Sequence, residues 1–120
     1  PVSEWVPIGA TDRWQRDEEG GRVFRVGTRR VAVFRLARAW FAMDDRCPHE
    51  GFSLAGGEIE DGAVRCPGHG WTFALADGQA VHGPCGLRVE TYAVRERWGK
   101  IEVLLPSIRG GFPSMRAVPM

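Results

Sequence analysis

No apolar run in these 120 residues approaches the roughly 20 residues of a spanning helix. The opening PVSEWVPIG also lacks the basic segment and apolar stretch of a signal peptide. The expectation is a soluble, cytoplasmic protein with no membrane partner. Charge of one sign is lacking as well. Sixteen Lys+Arg against 15 Asp+Glu leave a net charge of +1, too weak a field to gather phosphate backbones, so nucleic acid is set aside as a partner. The basic residues are nearly all arginine, Arg22, Arg25, Arg29 and Arg30 among them. Arginine suits carboxylates on a protein partner, although each one singly also fits the solvated face of a hairpin. Cysteine is scarce and odd in number, three in all. That excludes a disulfide framework and fits a reducing compartment. Repeats and low-complexity segments are absent, and the length fits one domain.

What is present is a succession of short strands. Trp5–Gly9 reads as an edge strand, because Pro7 cannot donate to a ladder. In the polar span Asp12–Gly21, Trp14 anchors a helical turn or lies in a loop. Val23–Val26, Val31–Leu36 and Trp40–Met43, separated by Gly27-Thr28 and Ala37-Arg38, read as an antiparallel meander. Within it Ala32, Phe34 and Leu36 share the face that is the better core candidate, against Val31, Val33 and Arg35. Asp77-Gly78 predicts a hairpin between Trp71–Leu75 and Gln79–Val81. Val89–Arg97 and Lys100–Leu105 form a last hairpin, with Ile101, Val103 and Leu105 inward. From Pro106 onward, three prolines and two glycines predict an extended tail over 106–120, resting on the body or on a partner through Ile108, Phe112 and Met115, or loose.

The stretch CPHEGFSLAGGEIEDGAVRCPGHGW between Cys47 and Trp71 is chemically the richest. Cys47 and His49 lie one residue apart, Cys66 and His69 two apart, and a Gly-rich span between them is long enough to fold back. Two thiolates and two imidazoles can therefore converge from two loops. With Pro48, Pro67 and Gly70 around them, the chain resembles the Rieske ferredoxin family, in which His replaces Cys on one iron of a [2Fe-2S] cluster. The resemblance implies an all-β fold, a Rieske-type antiparallel β-sandwich with a small cluster-binding subdomain inserted as two loops. It places the domain at 1–105, the subdomain at about 44–86 and the tail at 106–120. It also implies Cys47, His49, Cys66 and His69 as the cofactor- and metal-binding residues, with no catalytic residue.

Other readings of the same residues compete. Zinc takes two Cys and two His, yet zinc fingers pair like with like, whereas each loop here gives one of each. A catalytic Cys-His pair would leave the second pair without a purpose. High-potential members of the family carry an extra Cys in each loop, a Ser two residues after the second His and a Tyr four after it. This chain has neither Cys, and Trp71 and Phe73 stand at the other two positions. Missing hydroxyl bonds to sulfur imply a low-potential type, at about −150 mV, the bottom of the Rieske range. Trp71 and Phe73 either shield the site from water or simply pack. His82, before Gly83-Pro84, sits where the resemblance implies a covering proline loop, and by default is a polar loop residue. Cys85 is by default a buried, inert thiol. Glu50 and Phe52 follow the first ligand, where the resemblance implies that a partner docks around exposed histidines, and Glu50 is by default a solvated charge.

A cluster with every iron position filled leaves no place for substrate, so the expectation is a one-electron carrier. The leading reading is the ferredoxin component between a flavin-dependent reductase and a terminal oxygenase. The alternatives are the small Rieske subunit of an NAD(P)H-dependent nitrite reductase, docking on its large subunit, and a metal-free or zinc-bearing scaffold used for assembly.

Overall fold

The computed structural model describes residues 2–48, 51–68 and 70–107. Among them are eleven antiparallel strands: β1 (Val2–Ala10), β2 (Gly20–Val26), β3 (Arg29–Leu36), β4 (Ala39–Asp44), β5 (Ile59–Glu60), β6 (Ala63–Arg65), β7 (Thr72–Ala74), β8 (Ala80–His82), β9 (Thr91–Tyr92), β10 (Val94–Arg97) and β11 (Lys100–Ser107). They form three sheets, in the orders β1-β11-β10, β2-β3-β4-β9 and β5-β6-β7-β8.

The second sheet is the middle layer, and β3 shows why. The sequence offers one of its faces as core, but Val31, Ala32, Val33 and Phe34 are all fully buried. Val31 and Val33 pack with Ile101, Val103 and Leu105 of β11, while Ala32 and Phe34 pack with Val64, Phe73 and both Cys47 and Cys66. A strand covered on both faces carries a continuous apolar run, here VAVF, because neither side meets water. The single-face reading fails because alternation identifies a half-exposed strand, and this one is not half exposed.

β1 is an edge strand, as Pro7 requires, and its pairing with β11 slips between Pro7 and Gly9. Trp14 is buried after a 3₁₀ turn at Thr11–Arg13, where it meets Phe24 and Trp40. Its indole Nε1–H donates to Gly20 O at 3.0 Å, which satisfies the buried donor.

Two differences from the sequence reading concern the last hairpin. The run 89–97 is not one strand: Thr91–Tyr92 pairs with β4 and Val94–Arg97 with β11, so the chain changes sheets at Ala93. The run of strand formers does not mark that corner. Beyond it, β11 continues through Pro106 and Ser107, which face Ser3 and Val2. Proline fits there because β10 ends opposite Val103, leaving that flank of β11 without a β10 neighbour to receive an N–H. The remainder of the expected tail, with Ile108, Phe112 and Met115, lies outside the described residues.

Candidate metal centre

Two loops of the same construction hold Cys47 and Cys66. The first leaves β4 and is closed at its base by the bridge Arg46↔Ser53; the second joins β6 to β7 and is closed by Arg65↔Thr72. In the first, the Cys47 N–H donates to Phe52 O at 2.9 Å and the Gly51 N–H donates to Cys47 O at 2.8 Å. In the second, the Cys66 N–H donates to Trp71 O at 2.7 Å and the Gly70 N–H donates to Cys66 O at 3.0 Å. The pattern, Cys to i+5 and i+4 to Cys, is identical. Gly51 and Gly70 have φ of +76° and +79° with open space where a side chain would stand. Glycine is therefore required by the left-handed turn and not by crowding.

Both thiols are buried in the core cluster that also contains Phe34, Leu54, Val64 and Phe73. None of the three cysteines is in a disulfide. Two buried thiols carried to one cluster on matched turns suit a soft, thiolate-binding metal group, because a thiolate is costly in an apolar interior unless a cation compensates it. The donor set of the sequence thus fits an iron-sulfur group. His49, His69 and Glu50 lie outside the described residues.

The two loops touch through Phe52. Phe52, 42% exposed as a residue, lays its ring on Gly68, where a β-carbon would collide with it. Trp71 is partly buried and Phe73 fully so, both packed in the thiol-bearing core. His82 belongs to β8 and not to the Gly/Pro loop, and its Nδ1 lies 3.1 Å from Thr72 Oγ1. Cys85 is exposed, contrary to the expectation of a buried thiol: the turn at 83–86 carries it outward on the surface. Cysteine's usual burial reflects average apolarity, which a Gly-Pro turn overrides locally.

Asp45 is a residue that the motif reading passed over. It is fully buried two positions before Cys47. Its Oδ1 accepts the Ser53 hydroxyl at 2.9 Å and the Ala55 N–H at 2.9 Å, while its backbone O accepts the Leu54 N–H at 2.8 Å. Arg30 Nε lies 3.6 Å from Oδ2. One buried carboxylate therefore ties the start of the first loop to its end. The signal was available: from Met43 at the end of β4 the burial alternates onward through Asp45 to Cys47, past the strand's last residue, Asp44. Asp44, by contrast, is only partly buried. Loss of water pushes its carboxyl above the usual range, against the opposing pull of Arg29 and Arg46. Burial likewise raises the Tyr92 phenol, although Arg29 Nη1 donates to its oxygen at 2.7 Å.

The family model described as Rieske [2Fe-2S] domain matches residues 4–93. The chain belongs to this family. Its cofactor is accordingly a Rieske-type [2Fe-2S] cluster, and it is an electron carrier. The anthranilate 1,2-dioxygenase ferredoxin subunit of Burkholderia cepacia is 37% identical over 102 residues, covering 85% of this chain and 93% of its own. The 3-phenylpropionate/cinnamic acid dioxygenase ferredoxin subunit of Escherichia coli K12 is 36% identical over 92 residues, covering 75% and 87%. Among solved structures, a complex of reduced oxygenase and oxidized ferredoxin in carbazole 1,9a-dioxygenase contains a chain with TM-score 0.70 and 28% identity, covering 82% of this chain and 91% of that one. The all-β sandwich of this Rieske chain agrees with that likeness, and no helix among its described residues is long and apolar enough to cross a membrane.

Proposed function

We propose that this chain is the ferredoxin component of a dioxygenase system, taking single electrons from a flavin-dependent reductase and delivering them to a terminal oxygenase. Cys47, His49, Cys66 and His69 hold the cluster in this reading, the thiolates on one iron and the imidazoles on the other. The cluster-binding part is assigned to about 44–86, within a domain that runs on to the end of β11 at Ser107. The observation that carries the reading is the pair of matched turns burying Cys47 and Cys66 in one core. Support for the partners comes from relatives that are dioxygenase ferredoxin subunits over most of their length.

When bound, the cluster supplies a one-electron couple whose imidazole end raises the potential above that of an all-Cys site. The chain's own contribution is to present it without rearrangement. The turns fix the backbone beside each thiol, and Asp45 closes the first loop. Phe73 places an apolar ring where high-potential members carry a hydroxyl, which keeps the potential low. Docking should be transient, with an interface at the small end of the size range.

The test is purification with iron and sulfide analysis, visible and electron-spin spectra, and a redox titration. The expected result is split visible bands and a midpoint near about −150 mV. A colourless protein after anaerobic reconstitution, or zinc alone, overturns the reading. Copurification with a sirohaem subunit in place of a reductase and oxygenase overturns the assigned partners.

A further inference from the structure

Thr72 is buried at the start of β7, and its hydroxyl has no part in the turns described above. Its Oγ1 accepts the backbone N–H of His82 at 3.1 Å and lies 3.1 Å from His82 Nδ1. Both contacts fall where the β7–β8 ladder slips: Thr72 faces His82 but Phe73 faces Ala80, leaving Val81 as the extra residue. A bulge bends the strand that carries it, and a side chain bonded at the bulge fixes the direction of the bend. The chain then enters the segment 83–86. Gly83, at φ +143°, lies against the indole of Trp71, where a β-carbon would stand 3.2 Å from Trp71 Cγ. Trp71 O in turn accepts the Cys66 N–H at 2.7 Å. Hydroxyl, bulge, segment 83–86, indole and thiol-bearing turn thus follow one another in the structure.

We propose that Thr72 is a positioning residue: by pinning His82 it sets how closely segment 83–86 lies on Trp71, and so how much water reaches the second ligand loop. This rests on the assignment of the Cys66 loop as cluster-bearing. Water admitted beside that loop favours the more negative, reduced state, so a well-seated cover keeps the potential low.

The experiment compares holo wild type with Thr72→Val, which keeps size and β-branching but loses the hydroxyl. The midpoint potential should move upward, and amide exchange across 80–87 should quicken about tenfold, the equivalent of one hydrogen bond. Thr72→Ser, which retains the hydroxyl, should return both to wild type. An unchanged potential in Thr72→Val, or Thr72→Ser behaving like it, overturns the proposal. Should Thr72→Val fail to retain its cluster, His82→Ala removes only the imidazole contact and must give a smaller upward shift; no shift overturns the proposal equally. A wild-type protein without a Rieske spectrum would defeat the functional reading itself, whereas a normal wild type beside an indistinguishable Thr72→Val defeats this inference alone.

Discussion

The two cysteine-bearing loops share a backbone and differ at their feet. Each has an arginine before the cysteine, a proline after it, a left-handed glycine four residues on and an aromatic at the fifth. The first, however, is tied across its base by a buried carboxylate with two donors on one oxygen, whereas the hydroxyl at the foot of the second, that of Thr72, bonds outward to His82 of β8 and not across its own loop. A buried charge is costly to leave half paired, whereas a neutral hydrogen bond contributes modestly. Equal shape thus conceals unequal dependence on single side chains.

The largest effect should come from the thiols, which the comparison treats as equivalent. Cys66→Ser and Cys47→Ser should each abolish the visible spectrum. Circular dichroism should still report strand, because the core of Val31, Val33, Ile101, Val103 and Leu105 lies on the opposite face of the middle sheet. A variant retaining the full spectrum would remove that thiol from the ligand set. His69→Cys should likewise lose the native bands.

The feet come next. Asp45→Ala strands the Ala55 N–H and leaves Arg30 facing a void, and should cost about 3 kcal/mol in urea unfolding of the holo-protein. Thr72→Val should cost about 1 kcal/mol in the same measurement. Equal losses would erase the difference between the loops.

A third variant sharpens the comparison at its aromatic side. Phe73→Tyr returns a hydroxyl to the position four residues after His69 and should raise the midpoint potential by about 40 mV, the one-electron equivalent of an ordinary hydrogen bond of about 1 kcal/mol. A redox titration with no change would show that the new hydroxyl does not reach sulfur.

The smallest effect concerns Asp44, beside Asp45 but only partly buried. Its folded pKa is raised by burial, so its charge opposes folding once pH rises through the ordinary carboxylate range toward the raised value. Asp44→Asn should therefore be slightly more stable than wild type at neutral pH, with the gain disappearing on acidification below the ordinary range. A gain that persists in acid, read from urea midpoints at both pH values, would mean that charge is not its origin.

The strand-forming runs and the turn pairs Gly27-Thr28 and Asp77-Gly78 were enough to place the meander β2–β4 and the β7–β8 hairpin, since each is a local preference of the backbone. The cysteine and histidine spacing was enough to indicate the cofactor, because a ligand set is a chemical list written along the chain. Other features were settled only when distant segments met. Burial of β3 on both faces depends on β11 and β7 arriving from either side. The sheet change at Ala93 depends on which edge each half of the run finds vacant. Asp45 and Thr72 gain their partners from ten residues away, and Cys85 its exposure from the course of a loop. Spacing can propose a ligand set; only long-range packing determines what holds the residues in place.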